Sequence, residues 1–177
     1  MLNPNQKDLS ENPDVHLYET IASREYKTFT YIDTKFKNIT DMIADNSFLE
    51  FLSKENADIL SYATIVDKET ELNYNVDMGF KILDSEHVIR FNVITQHINK
   101  YNITITCNRI GDDLLENQKV IIDTVTIIIK KTSNGTYVEI SFMNVGDKRP
   151  AYIERAPGFL FMKTLVRIKA KLEQNKD

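Results

Sequence analysis

Between Tyr101 and Asn108 the chain alternates without a slip. Tyr101, Ile103, Ile105 and Cys107 take every second position, and Asn102, Thr104, Thr106 and Asn108 fill the gaps. A period of two sends successive side chains to opposite faces of a strand, so this segment has one dry face and one wet face. Strands of that kind belong to antiparallel sheets that are covered on one side only. The surrounding sequence extends the pattern. From Leu60 to Val145 the chain reads as successive strands, and Val120–Lys130, denser in Ile and Val, is expected in the centre of the sheet. Ser133-Asn134-Gly135-Thr136 joins it to Tyr137–Val145. Asn-Gly between two such runs supplies the positive φ that a tight hairpin turn requires.

A sheet with one dry face needs a cover. Pro150–Gln174 is the long element available. Phe161, Leu165, Ile168 and Leu172 fall on one stripe at helical spacing, with Lys163, Arg167 and Lys171 roughly opposite. Pro157-Gly158 is expected to kink this helix or to mark its start. Upstream, residues 1–14 carry Pro4, Pro13 and few apolar anchors, and read as a flexible arm before a single domain over 15–177. Val15–Phe36 reads as two strands turning at Ser23-Arg24, with Tyr26, Thr28, Thr30 and Ile32 suited to strand positions. Two short helices follow. Asn38 is the expected cap of the first, which carries Ile39, Met42 and Ile43. Asp45-Asn46 breaks it, and Ser47-Phe48-Leu49-Glu50 opens the second as a capping box. The second helix would turn Phe48, Leu49, Phe51 and Leu52 inward. The fold class is therefore α+β: a curved antiparallel sheet, two short helices, and a long C-terminal helix closing an internal cavity.

Charge and composition exclude several classes. The chain has 177 residues and a formal charge of −4, which argues against a dedicated nucleic-acid binder. Its one cysteine, Cys107, rules out an internal disulfide framework. The run Val125–Ile129 is far too short to span a bilayer, and no signal-peptide pattern opens the chain, so a soluble cytoplasmic protein is expected. There is no nucleophile elbow, phosphate loop or metal motif, and His87 and His97 read as surface or packing residues. No cofactor or metal is expected.

The ordered elements resemble a START domain of the wider helix-grip, Bet-v-1-like superfamily, from about Val15 to Leu172. Asp14-Val15-His16-Leu17-Tyr18 is similar to the family's opening strand, and Phe36–Lys54 to its paired helices. Gly146-Asp147-Lys148-Arg149-Pro150-Ala151-Tyr152-Ile153 resembles the entry to its final helix, and Lys163-Thr164-Leu165 with Ile168 and Leu172 resembles that helix. Where the family often has Arg-Asp leading into a central strand, this chain has Ser85-Glu86-His87-Val88, and it has no tryptophan. The resemblance implies that a lipid or other hydrophobic molecule occupies the cavity, sometimes for transfer between membranes.

Candidate ligand-lining residues are Tyr101, Ile103, Ile105, Cys107 and Val125 from the sheet, and Phe161, Leu165 and Ile168 from the helix. Cys107 reads as a small buried hydrophobe. Asp123 shares a strand face with Val125 and Ile127, so it needs a partner if buried. Arg90 or Arg109 would serve, or a ligand hydroxyl. Lys163, Arg167 and Lys171 form either a solvated face or a contact for anionic lipid headgroups. Two other functions stand beside a lipid carrier. One is a polyketide cyclase- or hydrolase-like enzyme in which Asp123, Tyr101 and Arg90 or Arg109 converge. The other is a protein-interaction module.

Overall fold

A computed structural model describes residues 5–45, 47–82, 85–111 and 122–174. Among these described residues nine strands and three helices follow one another as β1 (Gln6–Asp8), β2 (Val15–Thr20), β3 (Glu25–Ile32), α1 (Phe36–Ala44), α2 (Ser47–Glu55), β4 (Leu60–Thr70), β5 (Asn73–Ile82), β6 (Ser85–Asn99), β7 (Asn102–Ile110), β8 (Ile122–Thr132), β9 (Gly135–Asn144) and α3 (Ala151–Gln174). The strands form one sheet in the order β1-β2-β3-β9-β8-β7-β6-β5-β4. Every neighbouring pair is antiparallel. This is the helix-grip arrangement. Part of the expected arm is strand: Gln6–Asp8 pairs with Tyr18–Thr20 at one edge of the sheet. The expected start of the central strand at Val120 lies outside the described residues.

Register carries the apolar rows from strand to strand. One row runs Tyr26, Phe142, Val125, Cys107, Val93, Tyr74, each opposite the next across β3, β9, β8, β7, β6 and β5. Leu17, Thr28, Ile140, Ile127 and Ile105 make a parallel row. The sequence period of two thus becomes a continuous dry face. The hairpin between β8 and β9 turns at Gly135, whose φ is 132°. A Cβ there would sit 2.4 Å from the backbone oxygen of Ile32, so glycine is required on two counts.

Helix boundaries differ from expectation in two places. The first helix is capped by Lys35 rather than Asn38, which lies inside it, and no side chain bonds the cap. At the second, Asp45 Oδ1 accepts the Ser47 backbone N–H at 2.9 Å. The long helix neither starts nor stops at Pro157. It begins at Ala151, where the Pro150 carbonyl accepts the N–H groups of Ile153 and Glu154, and it runs through Pro157. Gly158 explains why the helix lies so close to the sheet. A Cβ at this position would be 3.1 Å from Leu17 Cδ1 and 3.5 Å from Tyr26 Cδ1. The helix accordingly packs chiefly on β2 and β3, while α2 packs on β4 and α3. Met162, Leu165 and Ile168 are its buried apolar residues, and Phe161 lies partly buried against Phe142 with ring centroids 5.3 Å apart.

Candidate functional site

The candidate site is the dry face of the middle strands, where the lining residues expected from the sequence fall, to the side of the helix. Sheet neighbours are spaced about 4.8 Å apart, so β7 lies three strands and roughly 14 Å from β3, where α3 rests. The expected lining residues divide into three groups. Ile103, Ile105, Val125, Leu165 and Ile168 are buried and close the interior. Leu165, at 1 % exposure, is pure packing between helix and sheet. Cys107 and Phe161 keep accessible surface although they pack on the buried cluster, as do Met78 and Ile127. Tyr101 leaves the group. It stands in the turn before β7, 48 % exposed, with the ammonium groups of Lys100 and Lys131 4.9 and 5.3 Å from its ring centre. The alternation ran one residue past the strand, and the turn carries Tyr101 away from the dry face.

Cys107 combines two properties that usually exclude each other. Burial pushes its thiol up to about 12. The residue as a whole is nevertheless only partly buried. It occupies the middle of the Tyr26–Tyr74 row, flanked by Val93 and Val125.

At one end of this face the chemistry changes. Arg109 follows Ile105 and Cys107 on the same side of β7 and stands opposite Phe91. Its Nη1 donates to the Gly111 carbonyl at 3.0 Å and its Nη2 to Asp123 Oδ1 at 3.2 Å. The guanidinium side chain is 7 % exposed and the Asp123 carboxylate 53 %. Asp123 is therefore not a buried acid. It sits where β8 shifts register against β9, between Ile122 and Val125, at the mouth of the dry face. Arg90, the other candidate partner, is on the outer face and holds Asp77 with contacts of 2.6 and 2.8 Å. Of the proposed catalytic set only Arg109 and Asp123 meet. Tyr101 is at the opposite end of β7 and Arg90 on the other face, so that constellation does not assemble.

The basic stripe on α3 is also partly spoken for. Lys163 donates to Asp58 Oδ2 at 2.6 Å, and Arg167 engages both oxygens of the same carboxylate as well as Asn56 Oδ1. Hydrogen bonds from Arg167 and Lys163 hold the Asp58 carboxyl well below the usual carboxylate range. Two of the three cations thus tie the helix to the segment between α2 and β4. A groove of about 410 Å³ runs beside this tie, between α2 and β4, lined by Leu49, Ser53, Tyr62 and Ile65 among others.

A second tie fixes the start of the helix, and the sequence carried no sign of it. Glu154 is buried and receives Nε and Nη2 of Arg24 at 3.0 and 2.7 Å, Nδ2 of Asn144 at 2.9 Å and the backbone N–H of Arg149 at 2.8 Å. Burial alone would raise this carboxyl, but Arg24 and the two amide donors outweigh it and hold it at about 2. Arg24 also donates to the Gly146 carbonyl at 2.7 Å. Further along, Arg155 pairs with Glu19 and Lys169 donates to the Tyr31 carbonyl. The helix is fastened to β2, β3 and their flanking turns along much of its length.

Comparison with solved structures agrees with this architecture. The lipid transfer and protein localization domain of human StarD13 superposes with a TM-score of 0.70 at 7 % identity, over 94 % of this chain and 88 % of that one. The STAR-related lipid transfer protein from Xanthomonas axonopodis gives 0.69 at 11 % identity, over 95 % of this chain and 98 % of that one. Ara h 8.0201 gives 0.61 at 10 % identity, over 85 % and 98 %. The chain therefore has the fold shared by START and Bet v 1-like domains. No family model matches the sequence. No curated protein matches it either. Among the described residues no helix is long and apolar enough to cross a membrane.

Proposed function

We propose that this protein binds a lipid or similar hydrophobic molecule in a hollow between the middle strands and α3. The observation that carries the reading is Cys107: deep enough for its thiol to be strongly desolvated, yet with surface left uncovered. On this reading the uncovered surface at Cys107 is wall of the hollow. Ile127, Met78 and Phe161, also incompletely covered, supply further apolar wall. A hydrocarbon chain entering such a recess gains about 0.8 kcal/mol for each methylene removed from water. No covalent step is involved. The lipid transfer domains named above share the fold, which supports the class of ligand and not its identity.

Native mass spectrometry of the purified protein, followed by organic extraction, tests this reading. The expected result is an adduct that the extraction identifies as a hydrophobic molecule. For a stripped sample, adding that molecule at about one hundred times its Kd should stabilise the fold by about 2.7 kcal/mol, a Tm rise of roughly 5–10 °C. A protein without adduct whose Tm no apolar compound moves contradicts the proposal.

A further inference from the structure

Among the described residues Arg109 and Arg149 each keep a buried Nε without a hydrogen-bond partner, and of the two only Arg109 lies on a strand of the dry face. Arg24 and Arg90 each present Nε and Nη2 to the two oxygens of one carboxylate, Glu154 and Asp77. In both, the side-on edge of the guanidinium is filled. Arg109 sends only Nη2 to an acid, in one contact of 3.2 Å, and that acid is half exposed to water. Its Nε is buried without any hydrogen-bond partner. A buried donor left unused calls for an explanation, and an acceptor on a bound molecule is one. The Nε–Nη2 edge is the one that matches a carboxylate or phosphate.

Position completes the argument. Arg109 lies on the strand face of Ile105 and Cys107, opposite Phe91, which in turn stands opposite Val76. The apolar wall of the proposed hollow therefore ends on a buried, incompletely satisfied guanidinium. We infer that Arg109 is a head-group subsite, and that the ligand is an amphiphile whose apolar chain lies along Cys107 and Ile127 and whose oxyanionic head, a carboxylate or a phosphate monoester, takes the Nε–Nη2 edge. This rests on the hollow proposed above. Asp123 partly neutralises Arg109 when the site is empty, and its exposure lets it turn to water as the head arrives.

The test is displacement of Nile red, an uncharged apolar probe, by palmitate, hexadecyl phosphate and hexadecanol, each below its critical micelle concentration. The natural sequence should be half-displaced at about tenfold lower palmitate or hexadecyl phosphate than hexadecanol, as expected for charge-assisted hydrogen bonds gained by the anions alone. The two anions distinguish a carboxylate from a phosphate head. Arg109→Met should abolish the preference and leave hexadecanol unchanged, whereas Arg90→Met, on the outer face, should alter nothing. Asp123→Asn, at an exposed position that folding tolerates, should widen the preference, because the cation loses its internal counter-charge. Equal displacement by all three compounds, a preference that survives Arg109→Met, or one that Asp123→Asn fails to widen overturns the head-group assignment and leaves the hollow standing. Failure to bind Nile red or any of the three chains overturns the hollow itself.

Discussion

Replacing Glu154 with glutamine removes the charge at the centre of the Arg24–Asn144–Arg149 knot while keeping its shape. The size of the effect follows from linkage. In the unfolded chain the carboxyl titrates at its ordinary value of 4.5, and in the fold it is held at about 2. A group depressed in this way stabilises the fold fully above its unfolded value and loses that contribution as pH falls toward its folded value. At neutral pH the contribution is about 3 kcal/mol, and at pH 3 about 1 kcal/mol remains. Urea unfolding of the natural sequence and of Glu154→Gln, at pH 7 and in steps down to pH 3, measures it. The variant should be about 3 kcal/mol less stable at pH 7 and the two curves should converge on acidification. Arg24→Met should cost a similar amount, and the double variant little more than either single one, because both remove the same pair. Equal stability at pH 7, or a gap that stays constant down to pH 3, refutes the reasoning.

Other perturbations have expected outcomes as well. Gly135→Ala forces a Cβ to within 2.4 Å of the Ile32 carbonyl and should cost about 3 kcal/mol, while Gly111→Ala, where a Cβ meets nothing within 4 Å, should cost clearly less; thermal unfolding compares them. Leu165→Ala opens a cavity between helix and sheet and should lower stability by about 2–5 kcal/mol in the same assay. Asp58→Asn releases Lys163 and Arg167, but both cations and the acid are partly exposed, so the loss should stay below about 1 kcal/mol. The Cys107 thiol, raised to about 12, should react slowly with a disulfide reagent, at a rate that still climbs about tenfold per pH unit from pH 7 through pH 9, since the thiolate fraction is far from saturating there; a rate that levels off by pH 9 contradicts the desolvated site.

Much of the architecture was legible because it is written in local periods. The alternation of Ile103, Ile105 and Cys107, the Asn134-Gly135 turn and the Leu165–Ile168 stripe each specify an element without reference to distant chain. Misreadings came where an element ends or where a contact spans the sequence. Tyr101 keeps the strand's parity but sits in the turn, and parity alone cannot mark the last paired residue. Asp123 shares a face with Val125, yet a register shift at the start of β8 puts its carboxylate at the mouth of the face. Pro157 reads as a helix boundary locally, whereas packing of Gly158 on Leu17 and Tyr26 holds the helix together through it. The Arg24–Glu154 pair joins residues 130 positions apart, and a lone glutamate in a helix's first turn gives no hint of such a partner. The free edge of Arg109 is of the same kind, since the unmet donor exists only in three dimensions.

The most direct measurement is methyl NMR of protein labelled at isoleucine and methionine, titrated with palmitate or with an extracted ligand. Ile127 and Met78, on the sparsely covered dry face, should show the largest shifts and direct nuclear Overhauser contacts to the hydrocarbon chain, while Ile128, which alternates to the other side of β8, should stay still. Contacts confined to outward-facing methyls such as Ile128, with Ile127 and Met78 unmoved at saturation, would contradict an interior ligand site.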